Sequence, residues 1–518
     1  MKKVIICSST LVALSISVFA AMSVAEDAIT PTTPAGLIEF PLQKGQEAYR
    51  DIDGRHLLQY VAEQDKISTD FRDHGHPQYW GRIAGTSGDV ADQQWLLGKF
   101  RQIGLTDVHA QPINMFLPQW APKGWSVTLT NGGKETKLVS AQAAYGSAGT
   151  NGKDLDLEVV YVGLGEEADF VDRDVRGKAV LVVLTPPSHI VGTEEFQKRA
   201  LAHGAAAILG VEFRDGNLPM QAYPVKTNLP TFHLGARDGI AIRDLVGSGA
   251  HPHVKISLTA DWMPNEKTAM IWATLPGMTD ETIYVWGHRD GWFEAAGDNG
   301  TGIATILGLA EHYAKIPKEQ RRRTIIFLAT DGHHNLESFG IAWLIANRAK
   351  LFAKTALLLN AEHTAQLDSH GTNSGTPPGM SDVAIPQQWY AGGPSRPQLT
   401  KIAADAFREF GVPLWSEPGA TNDGDEVGWL APFAPAVGAG SNNWVEMHYV
   451  TDTAAHIPWT GLQAETRAYA KIIDEVNKLP LKDLQRPEGR YDELEQLDPI
   501  IPASCQAWIK DSSAPCKP

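Results

Sequence analysis

The chain has 518 residues, 43% of them hydrophobic, and a formal charge of −15. That length allows a large core and two to four domains, and so acidic a balance argues against nucleic acid as a partner. Residues 1–25 carry Lys2 and Lys3, an apolar stretch from Val4 to Ala21 and the small residues Ser23-Val24-Ala25 before Glu26, the three-part layout of a secretory signal. Cleavage after Ala25 is expected, and it takes the charge to −17 because residues 1–25 hold two lysines and no acid. No later stretch approaches the roughly 18 apolar residues of a membrane span. The expected destination is a bacterial periplasm or the medium.

Residues 89–105 read as an amphipathic helix that ends at a glycine. From about 145 to 262 the chain changes character. Compact apolar runs at 157–165, 178–185 and 205–211 alternate with helical segments near 194–203 and 237–246, with little catalytic chemistry, so this region reads as a unit inserted into a larger α/β domain of residues 26–144 and 263–480. Continuous β-branched runs then follow at 282–288, 324–330 and 355–362, which suit strands covered on both faces. Between the first two, Ile303, Ile306, Leu307, Ala310 and Ala314 fall on one helical face. A closing helix is predicted over 465–479. The fold class is therefore mixed α/β, a largely parallel sheet flanked by helices. Segments 26–50 and 481–518 are rich in proline and polar residues and read as surface arms. Once Cys7 leaves with the signal, Cys505 and Cys516 remain, and in an oxidising compartment a disulfide between them is expected.

The runs deliver ligand-type residues at their ends. The first meets His288 and Asp290, with Asp298 opening the next helix. The second runs into Asp331, His333 and His334, the third into Glu362, and a later apolar stretch precedes His448. Ligands of an open α/β sheet gather beyond the carboxyl ends of its strands, and imidazole with carboxylate suits a zinc-type ion.

The segment from His288 to Gly302, the 28-residue step from His334 to Glu362, and the stretch from His448 to Thr453 resemble the co-catalytic zinc exopeptidases, the family of bacterial secreted aminopeptidases, glutamate carboxypeptidase II and the transferrin receptor. Residues 81–105 are similar to that family's opening helix, and the inserted unit resembles a protease-associated domain. The resemblance implies a zinc exopeptidase-like fold and makes Asp298 a carboxylate bridging two metals. His288 and Glu362 complete one metal, His334 and His448 the other. Asp290 orients His288 from behind, and the Asp298–Asn299 peptide is cis.

One departure carries chemical weight. Where the family presents two adjacent glutamates, a general base and a ligand, this chain has His333 and His334. Imidazole binds zinc as carboxylate does, so the ligand change is mild. As base, a neutral His333 held at low pKa by nearby cations accepts a proton at neutral pH. With Asp298 and Glu362 as the only anionic ligands, two divalent ions leave about +2, each lost carboxylate forfeiting roughly 4 kcal/mol at ~4 Å and an effective dielectric of ~20. Either one ion binds tightly, or the pair holds an anion such as a substrate carboxylate, phosphate or hydroxide. Glu337 is a further candidate carboxylate.

Three functions follow. The first is an exported metallopeptidase or amidase, a hydrolase acting on a peptide or small amide, an anionic one among the options, with one or two Zn²⁺. The second is a metalloenzyme of different chemistry, using Fe²⁺ or another divalent transition metal in the His, His and Asp set. The third is a binding homologue without catalysis. His74 and His76 are expected in a surface loop, and His363 on the side of its strand opposite Glu362. Trp286, Trp292 and Trp444 are expected in core or pocket wall, Trp292 and Trp444 being near ligands in sequence. Asp423 and Asp425 are similar to the family's acidic loop.

Overall fold

The structure is a computed structural model, and it describes residues 39–484 apart from 185–192, 213–215, 223–227, 336–337, 366–387, 392–396, 413, 415–426, 432 and 441–445. The predicted signal, Glu337, Asp423, Asp425, Trp444, Cys505 and Cys516 lie outside the described residues. From the N-terminal side the chain forms α1 (Gly54–Asp73), β1 (Gly81–Arg82), α2 (Ser87–Ile103) and β2 (Thr106–Asn114). Next come β3 (Gln119–Asn131), β4 (Lys134–Lys137), β5 (Gln142–Ala143), β6 (Leu155–Tyr161), α3 (Glu167–Phe170), β7 (Ala179–Val183), α4 (Thr193–Ala202), β8 (Ala207–Val211), β9 (Thr231–Leu234), α5 (Ala236–Gly247) and β10 (His253–Met263). The remainder is β11 (Lys267–Leu275), β12 (Thr282–His288), β13 (Gly291–Trp292), α6 (Thr301–Ala314), β14 (Thr324–Thr330), α7 (Phe339–Ala346), α8 (Arg348–Leu351), β15 (Thr355–Ala361), β16 (Gln388–Ala391), α9 (Pro397–Glu409), α10 (Val427–Leu430), β17 (Ala436–Gly440), α11 (Trp459–Asn477) and α12 (Leu481–Leu484).

One sheet has seven strands in the order β16-β17-β15-β12-β14-β11-β2. Its inner strands β17, β15, β12 and β14 run parallel, β11 and β16 run antiparallel to them, and β2 pairs antiparallel with β11. Alternation along each inner strand serves two cores. Ile283, Val285, Ile325, Phe327, Leu357 and Leu359 pack with α1, α6 and α11 on one face. Tyr284, Trp286, Ile326, Leu328 and Leu358 pack with α7 and α10 on the other, which is why these strands read as unbroken apolar runs. The strand order reverses at β12, because the chain passes from β12 to β14 on one side and then to β15 on the other. A switch point of this kind opens a crevice at the carboxyl ends.

The second sheet has eight strands, β4-β3-β10-β6-β7-β8-β9-β5, with β6 to β9 parallel. Its strands reach beyond the expected unit of 145–262: β10 pairs with β3 along its whole length, from His253↔Thr130 to Met263↔Gln119, so the strands of this sheet run from Gln119 to Met263. The partner of β3 lies more than a hundred residues downstream, which local patterning cannot register. The N-terminal segment also differs from a surface arm at its described end. Tyr49 is buried, donates to Asp474 Oδ2 at 2.8 Å and meets Phe410 edge-on at 5.5 Å. Among the described residues no helix is long and apolar enough to cross a membrane.

Candidate metal centre

β12 ends at His288, and the ten residues to Asp298 are bolted from outside. Arg82 is fully buried, and donates to the carbonyls of Arg289 at 3.0 Å, Glu294 at 2.6 Å and Ala295 at 2.9 Å. Arg289 in turn pairs with Asp89 at 2.5 Å and Asp92 at 3.1 Å, one turn apart on α2. A buried guanidinium needs such partners, so the helix that resembles the family's opening segment fixes the first ligand loop. Thr86 caps α2 by accepting from the Asp89 N–H, and Gly104, left-handed at φ 89, ends it. Farther along, Asp452 accepts from the N–H groups of Gly297 at 2.7 Å and Asp298 at 3.2 Å. The Asp298–Asn299 peptide is cis, as the resemblance implies.

Beyond β14 the chain turns at Gly332, where φ is +73 and a Cβ would lie 2.3 Å from the Phe339 ring. This turn presents His333 and His334, and the Asp290 carboxylate holds it, accepting from the His333 N–H at 3.3 Å and the His334 N–H at 2.9 Å. Beyond β15, Glu362 and His363 follow. Asn299 fastens this end, donating to the Ala361 carbonyl at 3.0 Å and accepting from the His363 N–H at 3.0 Å. The fourth segment belongs to His448, whose backbone lies in the left-handed region at φ 64. Here the second sheet's unit takes part. Gln221 N–H donates to the His448 carbonyl at 2.9 Å, and Tyr449 hydroxyl to Glu212 at 3.0 Å. Asn335, beside the histidine pair, donates to Gln119 Oε1 at 2.5 Å and the Tyr145 hydroxyl at 2.9 Å.

The four segments converge on Asp298. Its Oδ1 lies 3.2 Å from His288 Nε2 and 3.2 Å from His363 Nε2, while Oδ2 lies 3.1 Å from His334 Nε2 and 3.0 Å from His448 Nε2. Glu362 Oε1 approaches His288 Nε2 to 2.8 Å. His288 Nε2, Asp298 Oδ1 and Glu362 Oε1 are buried, His288 Nε2 lying 3.2 and 2.8 Å from the two oxygens, with no well-aligned hydrogen-bond partner among the described residues. Buried polar atoms are ordinarily satisfied, and donors massed in this way fit a cation. Two donor groups share Asp298: His288, Glu362 and His363 on one side, His334 and His448 on the other. Burial opposes a charged His288, yet Glu362, Asp290 and Asp298 raise its pKa well above the ordinary value. Asp298 is fully buried, and the surrounding histidines nonetheless hold its carboxyl well below the usual range.

Residues 270–473 match the model of peptidase family M28, a span that contains every residue of this cluster. That matched segment resembles the M28 peptidases. It is 26% identical over 257 residues to aminopeptidase YwaD of Bacillus subtilis (strain 168), a match covering 48% of this chain and 51% of that protein. The chain thus spans about half the length of this curated relative. The structure is similar to a peptidase M28 precursor from Shewanella amazonensis SB2B, with a TM-score of 0.61 at 15% identity over 86% of this chain and 99% of that one. It is also similar to BSAP, a zinc aminopeptidase from Bacillus subtilis, with a TM-score of 0.57 at 19% identity over 84% and 98%. At such identities the likeness establishes the fold.

Within this M28 frame the structure brings His288, Asp298, His334, Glu362 and His448 together, with His333 beside them. His333 stacks on the His288 ring, 4.2 Å between centroids and 15° apart. Asp290 meets His288 Nδ1 with its backbone carbonyl at 3.0 Å and its carboxylate at 3.6 Å, and the same carboxylate shapes the His333-His334 turn. One expectation needs correction. His363 lies on the same side as Glu362, because β15 stops at Ala361 and the next backbone turns left-handed, φ 43 at His363. The histidine directly after a strand-end acid was the available signal. Trp292 packs against His334 at 4.6 Å and His448 at 4.9 Å, and Trp286 is core. His74 and His76 stay apart from the cluster, His74 on the Asp70 carbonyl and His76 stacked on Phe71.

Proposed function

We propose that the chain is a metal-dependent hydrolase that cleaves a peptide or small amide bond, an exopeptidase of aminopeptidase type, with one or two Zn²⁺ held by His288, Asp298, Glu362, His334 and His448. The observation that carries this reading is Asp298, whose two oxygens face two separate sets of imidazoles within 3.2 Å. When bound, such ions supply Lewis-acid polarisation of a carbonyl and a water of lowered pKa. The protein's own groups do the rest. His333, stacked on His288 and 94% buried, takes a proton from the attacking water at a ring nitrogen and returns it to the leaving amine. Asp290 fixes the turn that carries His333, and Asp452 fixes the backbone that carries Asp298. The unit of the second sheet, protease-associated-like in character, braces the turn beside His333 and His334 through the bonds of Gln119 and Tyr145 to Asn335.

Export through the signal of residues 1–25 to the periplasm or medium, and a Cys505–Cys516 disulfide in the tail, complete the proposal. A second reading rests on Asp298, His334 and His448, a two-histidine, one-carboxylate set that also suits iron(II). Metal analysis of the purified protein, with a screen of aminoacyl and peptidyl amides, separates the two. Zinc with amine release from unblocked substrates supports the peptidase. Iron without hydrolysis supports the second reading, and absence of both metals with no turnover leaves an inactive binding homologue.

A further inference from the structure

Resting on the metal reading above, we propose that His363 is a fourth protein donor to the position formed by His288, Asp298 and Glu362. One metal position is then closed by protein, and the other, formed by Asp298, His334 and His448, is the open one.

The backbone supplies the first argument. A continued strand would send His363 to the opposite face from Glu362. Instead β15 ends at Ala361, His363 takes a left-handed conformation at φ 43, and its N–H is held by Asn299 Oδ1 at 3.0 Å. Left-handed backbone is uncommon outside glycine and clusters where geometry is imposed for function. The second argument is distance. His363 Nε2 lies 3.2 Å from Asp298 Oδ1 and 3.3 Å from Glu362 Oε1, and His288 Nε2 lies 3.2 and 2.8 Å from the same oxygens. Donors at zinc bond lengths of 2.0–2.1 Å in a tetrahedron are about 3.3 Å apart. The two imidazoles approach from different directions, with their planes at 89°, and none of the four side chains is more than 3% exposed.

Charge separates the two positions further. Asp298 and Glu362 together neutralise one divalent ion at the first. The second has two neutral imidazoles and only a share of Asp298, and three protein donors leave a coordination position for water or substrate. The first ion therefore binds tightly and holds Asp298 in place, and the exchangeable ion on the His334 side is the one that meets substrate.

Cobalt(II) tests this, because its visible absorption is intense when four-coordinate and weak at higher coordination. Metal-free protein titrated with Co²⁺ is expected to take the first equivalent with a four-coordinate spectrum and the second more weakly. Asparagine tolerates left-handed backbone but is too short to replace the ring. In His363→Asn the first equivalent should lose its intense bands and bind more than about 100-fold more weakly, beyond the usual effect of losing a supporting contact. His334→Asn should weaken the second equivalent alone. If His363→Asn keeps the first-equivalent spectrum and affinity, His363 is not a ligand, although the metal reading stands. If the unaltered protein takes up no cobalt, both fall. Should His363→Asn fail to fold, X-ray absorption of the His334→Asn protein with one equivalent of zinc decides. Two imidazoles on the metal support the proposal, and one overturns it.

Discussion

Each of the two sheets contains four adjacent parallel strands, β17-β15-β12-β14 in one and β6-β7-β8-β9 in the other, and their carboxyl ends could hardly be more different. The first set ends in His288, in Asp331 with His333 and His334, and in Glu362 with His363. The second ends in Leu184, Glu212 and Gly235. Among the described residues, all groups able to hold a metal lie at the first set. Parallel order creates a crevice, and the side chains at the strand ends decide what it does. The second sheet contributes at one remove, through Gln221 on the His448 backbone and Gln119 and Tyr145 on Asn335.

The largest expected effect strikes the one residue shared by both donor sets. Asp298→Ala should empty both positions and reduce hydrolysis to background, read by metal content per chain alongside turnover. Since a metal that binds only the folded protein stabilises it, added zinc should raise the melting temperature of the unaltered protein and not of this variant. Retention of two ions per chain would mean that the strand ends of the first sheet are not where metal sits.

Next in size is His333. His333→Ala should lower kcat by about 10²–10⁴, the usual contribution of a positioned base, with metal content and KM little changed. His333→Glu should restore much of that loss. Full activity in the alanine variant would reduce His333 to a ring stacked on His288. A smaller effect tests the link between the sheets. Asn335→Ala leaves Gln119 Oε1 and the Tyr145 hydroxyl without this donor, and should cost about 1–3 kcal/mol of stability, measured as a lower urea midpoint. No shift would mean that the second sheet stands on its own beside the centre.

Much of the first sheet was legible in the sequence, and much of the second was not. The runs at 282–288 and 324–330 coincide with β12 and β14, because strands buried on both faces announce themselves without a partner. β3 does not. Its burial alternates only partly, and its meaning depends on β10. At the centre, strand-end residue types singled out His288, Asp298, His333, His334, Glu362 and His448 as residues that could meet, and the resemblance divided five of them into two donor sets. Backbone twists and long hydrogen bonds were hidden. Nothing local to the run before Glu362 foretells the left-handed turn at His363, since it is held by Asn299 some sixty residues earlier. Asp452 was likewise silent, as its partners are the N–H groups of Gly297 and Asp298.

The last effect concerns pH. Glu465 on α11 lies behind the metal centre, accepting from the Ala365 N–H at 3.2 Å and the Tyr469 hydroxyl at 3.4 Å, and burial pushes its pKa up to about 8. Between the ordinary carboxylate value and about 8 the folded protein keeps this proton while the unfolded chain has released it. Stability attributable to Glu465 is therefore full at low pH, declines as pH rises through that window, and is level above it. Glu465→Gln keeps the shape and cannot ionise. The melting temperature of the variant relative to the unaltered protein should climb by several degrees from pH 5 to pH 9, and a difference flat across that range would mean that Glu465 is ionised in the folded protein. Glu465 packs on the first sheet, so where unfolding resolves into two transitions the pH-sensitive one should be that of the first sheet, and the transition of the second should not move with the substitution.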